Sequence, residues 1–203
     1  MLTRLILVRH GQTVWNHDMR YQGHTDIALT DEGIKQAELV AERLAKEKIN
    51  AVYSSDLSRA FITAERIAQR HGVSVTGIPE LREIKFGEWE GLTYKGIGEK
   101  WPDQLPKLYS HPDEVVIPGG ETFRDLKARA TRAVESLVEK HPEDTIAVVS
   151  HGGTIRTILC ATLNIHLNHV WSIRQDNTAV NIIEYYGDRA IVSLVNDIHH
   201  LQP

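Results

Sequence analysis

The sequence predicts an α/β chain folded as a three-layer α/β/α sandwich, with a mostly parallel sheet, one antiparallel edge strand and a lid-like insertion. Three observations carry this expectation. Leu5-Ile6-Leu7-Val8, Ala51-Val52-Tyr53 and Ile146-Ala147-Val148-Val149 are short, unbroken apolar runs, the pattern of strands covered on both faces of a parallel sheet. Amphipathic helical stretches lie between these runs, and strands alternating with helices imply βαβ units. Two β-rich runs near the end flank Gly187-Asp188, a hairpin signal that sets the last strand antiparallel at an edge.

Taken in order, the first strand leads to a helix over 31–47, where Ile34, Ala37, Ala41 and Leu44 recur at steps of three and four and charged residues fill the other face. Thr30 stands in the N-cap position and Gly33 falls in the first turn. The second strand is followed by a helix over 59–71 with Ala60, Ala64 and Ile67 on its apolar face. The interval 86–120 stands apart, with Pro102, Pro106, Pro112 and Pro118, several glycines, and the aromatics Phe86, Trp89, Tyr94, Trp101 and Tyr109. It reads as a lid or pocket wall, the alternative being an excursion that covers a helix face. Phe123, Leu126, Ala130, Ala133 and Leu137 mark a helix over 121–140, closed by His141-Pro142. A helix over 154–164 follows the third strand. No internal repeat or linker divides the chain, so residues 1–203 read as a single domain.

Composition narrows the function. The chain has 203 residues, 23 Lys+Arg against 27 Asp+Glu and 41% hydrophobic residues, values of an ordinary globular protein able to build its own core. Cys160 is the single cysteine and has no partner for an intramolecular bridge. The first residues lack the basic and long apolar regions of a signal peptide, and no apolar stretch reaches membrane-spanning length. A cytoplasmic protein without membrane association is the expectation. A net charge of −4 argues against a nucleic-acid surface. His199-His200 could suggest a metal, but adjacent strand residues point to opposite faces. No metal and no cofactor are expected.

In open parallel sheets, ligands bind beyond the carboxyl ends of the strands. The first strand runs into Arg9-His10-Gly11, the second into Ser54-Ser55 and then Arg59, the third into Ser150-His151-Gly152-Gly153. Topology alone would bring two His and two Arg to one edge. That set suits a phosphate monoester: guanidinium forks match phosphate oxygens, a neutral imidazole can attack phosphorus, and glycine backbones can approach an anion closely. Four carboxylates, Glu80, Glu83, Glu88 and Glu90, lie near enough in sequence to serve as an acid, and residue type does not choose among them.

The blocks Leu7-Val8-Arg9-His10-Gly11-Gln12-Thr13, Tyr21-Gln22-Gly23, Ser54-Ser55-Asp56-Leu57-Ser58-Arg59-Ala60, Leu81-Arg82-Glu83, Phe86-Gly87-Glu88-Trp89-Glu90-Gly91 and Ser150-His151-Gly152-Gly153 occur in the order found in the histidine phosphatase superfamily, the phosphoglycerate mutase-like fold. The chain resembles its phosphatase branch, and within it the α-ribazole phosphatases. The resemblance implies a metal-independent phosphomonoesterase working through a phosphohistidine. His10 would be the nucleophile, and Arg9, Arg59 and His151 would hold the phosphoryl oxygens. Asn16, Gln22, Gly23 and Gly152 would complete the substrate-binding set, and Glu83 would be the general acid.

Two rival readings follow. Cofactor-dependent mutases of the same fold carry extra basic residues after the acid, including an Arg pair. Residues 84–120 here contain Lys85, Lys95, Lys100 and Lys107 but no Arg, so a small bisanionic substrate would lack its clamp. A non-catalytic phosphate-binding module would be expected to lack a catalytic residue, and every expected position is filled. The expected partner is a small phosphate monoester, a metabolite such as α-ribazole 5'-phosphate or phosphoserine, and the chain reads as a monomer or homodimer.

Overall fold

The computed structural model describes residues 2–202. Its centre is a six-stranded sheet in the order β3-β2-β4-β1-β5-β6, built from β1 (Leu2–Arg9), β2 (Ala51–Ser54), β3 (Val75–Gly77), β4 (Thr145–Ser150), β5 (Val180–Tyr186) and β6 (Arg189–Asp197). β1, β2, β3 and β4 pair in parallel, while β5 runs antiparallel to β1 and β6 antiparallel to β5. The expected hairpin therefore forms. β5 is the reversed strand, and β6 at the edge returns along the direction of β1. β3 is not legible beforehand because three residues are too few to show a period.

The apolar runs are unbroken because both faces of each central strand are covered. Leu5 and Leu7 face a layer made by α6 (Phe123–Lys140) and α7 (Gly152–Thr162), and Ile6 and Val8 face α2 (Asp31–Leu44) and α3 (Ser58–His71). Thr30 caps α2 by accepting the Gly33 N–H at 3.0 Å. The glycine in that first turn is needed for close approach. A Cβ on Gly33 would lie 2.0 Å from the Gln12 carbonyl oxygen, so the loop after β1 rests directly on the start of α2.

The interval 86–120 contains two short helices, α4 (Tyr94–Lys100) and α5 (Gln104–Ser110). It packs on the core and supplies part of a cavity wall. Trp89, Ile97, Leu105, Leu108, Val115 and Ile117 are buried in the core layer with α6 and α7, while Phe86, Tyr94 and Tyr109 line a cavity. α7 begins two residues earlier than its periodicity suggests, at Gly152-Gly153, for a reason found in the site. His199 and His200 lie in a 3-10 turn rather than in a strand, with His200 Nε2 against Thr178 Oγ1 at 3.1 Å. Cys160 is buried, and burial pushes its thiol up to about 11.

Candidate active site

Register brings the first two strand ends together. Arg9 pairs with Ser150 across the β1–β4 ladder, and His10 N–H donates to the Ser150 carbonyl at 3.0 Å. The next residues, His10 and His151, are therefore neighbours, with ring centroids 5.1 Å apart. β2 lies on the other side of β4, and α3 starts just after it, placing Arg59 in its first turn over the same edge.

The buried His10 ring has its Nδ1 2.7 Å from the Gly11 carbonyl. A carbonyl can only accept, so Nδ1 carries the hydrogen and Nε2 holds the free lone pair. Burial, and then the Arg59 and Arg9 guanidinium groups, hold His10 well below the usual imidazole range. His151 is fully buried and shifted in the same direction by burial, Arg59, His10 and Arg9. Neither of its ring nitrogens has a hydrogen-bond partner among the described residues.

Arg59 is also fully buried. Its Nη1 and Nη2 donate to the carbonyls of Thr25 and Gly23 at 2.9 and 2.8 Å, while Nε is unpartnered. Arg9 Nη1 donates to the Gln175 carbonyl at 2.6 Å, and its Nε is likewise unpartnered. Burial is the largest cause that lowers each of these groups to about 10. Buried donors are normally satisfied, so unpartnered nitrogens on Arg9 and Arg59, which line one cavity with His10, and on His151 packed against His10 suit an anion.

Among the four candidate acids, geometry separates the roles. Glu80 and Glu88 are exposed. Glu90 is structural: Oε1 accepts from His24 N and Phe86 N, and Oε2 from Thr25 N and Thr25 Oγ1, which fixes the loop whose carbonyls hold Arg59. Glu83 alone of the four lines the cavity. Its Oε1 accepts from Ile84 N at 2.9 Å and from Thr154 N and Oγ1, and its Oε2 accepts from Gly153 N at 2.9 Å. This carboxylate supplies the cap that lets α7 start on two glycines.

Asn16 and Gln22 line the same cavity, with their carbonyl oxygens taken by Thr13. Their amide nitrogens make no hydrogen bond among the described residues and remain as donors. His151 and Gly23 do not line the cavity. The first packs against His10 and the second holds Arg59 from behind. The cavity measures about 350 Å³ and is walled by Tyr21, Phe86, Tyr94, Tyr109 and Trp171, with the Tyr21 and Tyr109 hydroxyls 2.9 Å apart.

Sequence reasoning missed Arg156, Arg20 and Trp171 in this lining. The 84–120 segment brings no Arg, as its sequence shows, but α7 brings Arg156 to the lining. Arg156 lies four residues after Gly152 and so on the same helical face, a spacing visible in the sequence. Asn177 was also missed. Its Nδ2 donates to the His10 carbonyl at 3.0 Å and reaches Asn16 Oδ1 at 3.3 Å. Next to it the fully buried Thr178 has φ +55°, a left-handed conformation costly for a β-branched residue and held here beside the site.

The depressed histidines set a stability prediction. The folded protein keeps His10 and His151 neutral below the pH at which an unfolded imidazole, near 6.5, binds a proton. Between the folded and unfolded values the unfolded chain holds more protons, so stability is full above about pH 6.5 and declines as pH falls below it. Each unit of depression contributes about 1.4 kcal/mol. The urea midpoint is expected to fall between pH 7 and pH 5, and a constant midpoint across that interval would contradict the burial of these neutral rings.

Comparison with known proteins gives the class. The family model described as histidine phosphatase superfamily (branch 1) matches residues 5–198. Phosphoserine phosphatase 1 of Hydrogenobacter thermophilus is 34% identical over 200 residues, covering 98% of this chain and 95% of that protein. Among solved structures, Bacillus stearothermophilus YhfR superposes with TM-score 0.94 at 34% identity, covering 98% of this chain and all of the other. A provisionally assigned α-ribazole-5'-P phosphatase from Escherichia coli superposes with TM-score 0.88 at 28% identity and 96% coverage of each chain. The fold and site define a phosphomonoester hydrolase of the α/β class. The chain belongs to the histidine phosphatase superfamily.

Proposed function

We propose that the protein hydrolyses a small phosphomonoester through a phosphohistidine on His10, without a metal ion. The observation that supports this most directly is the unprotonated His10 Nε2 beside buried, unpartnered donors of Arg9, Arg59 and His151. Nε2 attacks phosphorus in line with the ester oxygen, the N–P bond forms and the P–O bond breaks. Arg9, Arg59, the N–H of neutral His151, the Asn16 and Gln22 amides and the Gly152 backbone take the oxygens of the transferring group. That is the main task in phosphoryl transfer. The Nδ1–H bond to Gly11 stabilises the phosphorylated ring.

Glu83 gives its proton to the leaving alkoxide. Oε1 is anchored at Ile84 and Thr154, which leaves Oε2, with a single backbone donor, the less occupied oxygen for this transfer. In the second step the Glu83 carboxylate takes a proton from water, the oxygen attacks phosphorus and the N–P bond breaks, returning His10 to its starting form. Residues 86–120 serve as the pocket wall of this single catalytic unit. The absence of Arg from that segment favours hydrolysis over mutase chemistry.

Rapid mixing with a phosphomonoester in the presence of chelator is expected to trap an acid-labile phosphoryl adduct on His10 and to give turnover. Phosphate binding without adduct or turnover would support the binding-module reading instead. A second test uses Gly153. A Cβ there would lie 2.6 Å from Glu83 Oε1, the end of a side chain that can move aside. In a helix, Gly→Ala gains up to about 1 kcal/mol. Gly153→Ala is therefore expected to lower kcat roughly tenfold through the displaced carboxyl, with the helix gain offset by the weakened Glu83 cap at Gly153 and Thr154, so that the thermal midpoint stays near that of wild type. Full activity in that variant would remove Glu83 from the proposed chemistry.

A further inference from the structure

We infer that Arg156 makes the pocket selective for phosphomonoesters whose leaving group carries a carboxylate close to the ester oxygen, as in a phosphorylated short hydroxy or amino acid. The inference rests on the phosphatase reading above. Arg156 Nε donates to the Ile173 carbonyl at 2.7 Å, and its guanidinium carbon lies 5.4 Å from the Trp171 ring centroid. These two contacts fix the plane of the group. Nη1 and Nη2 make no hydrogen bond among the described residues, and the side chain lines the cavity. A pair of parallel donors held in a fixed plane is the geometry that grips a carboxylate through both oxygens.

Position sets the size of the ligand. A Cβ on Gly152 would lie 3.0 Å from Arg156 Nη1 and 3.4 Å from Arg9 Nε, so the two guanidinium groups are neighbours across the missing side chain. An anion on Arg156 is thus a few bonds from a phosphoryl group on Arg9. Arg9 and Arg59 suit a phosphate dianion, and Arg156 is a further cation beside them, while Arg20, also in the lining, faces Asp18 at 3.8 Å and donates to the Gly91 carbonyl. Glu83, the first carboxylate near Arg156, is engaged by the Ile84, Gly153 and Thr154 donors. Asp176, the other carboxylate near Arg156, is already held by Arg174 at 2.7 Å and Asn196 at 2.9 Å. A carboxylate on the leaving group gives the open Nη1 and Nη2 of Arg156 a partner, whereas a neutral leaving group leaves them unmatched in a largely desolvated place.

The test compares kcat/KM on phosphoserine and 3-phosphoglycerate with that on phosphoethanolamine and p-nitrophenyl phosphate, for wild type, Arg156→Gln and Arg156→Lys. Wild type is expected to prefer the two carboxylates over phosphoethanolamine. In Arg156→Gln the ratio of carboxylate to carboxyl-free activity is expected to fall on the order of 30- to 100-fold, mainly through KM. Arg156→Lys, which keeps the charge but loses the fork, is expected to recover part of that ratio. An equal loss on all four substrates would overturn the inference, because Arg156 would then hold the phosphoryl group. So would a wild type indifferent to the carboxylate. Wild type that turns over none of the four and forms no His10 adduct would instead overturn the phosphatase reading itself. Turnover of p-nitrophenyl phosphate by either variant reports that it is folded.

Discussion

Exchange of His10 for asparagine is expected to lower kcat on every phosphomonoester by on the order of 10⁴-fold or more, as loss of a covalent nucleophile does in other enzymes. The folded structure has little reason to change. Asparagine is smaller than histidine, its amide can still donate to the Gly11 carbonyl, and the Asn177 and Thr178 contacts to residue 10 are made through its backbone carbonyl. Phosphate affinity is expected to survive, because Arg9, Arg59 and His151 keep their unpartnered nitrogens. The checks are steady-state kinetics, loss of the acid-labile adduct and retained protection by inorganic phosphate in thermal unfolding. Substantial turnover by His10→Asn would place the nucleophile elsewhere.

The second large effect is expected from Glu83→Gln, and it depends on the leaving group. A poor alkoxide leaving group needs a proton as the P–O bond breaks, and loss of a general acid there costs about 10²- to 10⁴-fold. A nitrophenolate leaves without that help, so the same variant is expected to lose far less on p-nitrophenyl phosphate. The substitution also disturbs the start of α7. Glutamine must turn an NH₂ group towards either the Gly153 N–H or the Ile84 and Thr154 donors, where Glu83 offers an acceptor to each. One lost cap of this kind costs about 1 kcal/mol. A general stability defect would lower both substrates together, so the split between them reads the proton transfer. Equal rates for variant and wild type on an alkyl phosphate would end the assignment of Glu83.

Much of this was legible before the structure because chain continuity and a few topological rules carry it. The unbroken run at 5–8 has the pattern of a strand covered on both sides, and parallel strands linked by helices present their carboxyl ends at one edge. His10, Arg59 and His151 follow those ends within a few residues, so their meeting did not depend on how side chains pack. The choice of Glu83 over Glu80, Glu88 and Glu90 could not be made from residue type. Its position was indicated by the family motif, and its place in the cavity by the hydrogen bonds that α7 makes to it.

The amino-acid order thus determined the central strands, their flanking helices and the cluster at the strand ends, since each follows from a local period or a backbone junction. Tertiary packing alone decided the outer half of the pocket. It sent Trp89 into the core and Phe86, Tyr94 and Tyr109 into the wall, and it brought Trp171 to the cavity and Asn177 to the His10 carbonyl from segments with no strand end to announce them. The physical reason is that burial of an aromatic or pairing of a guanidinium depends on which distant surfaces fill the same volume, and no spacing along one chain encodes that volume.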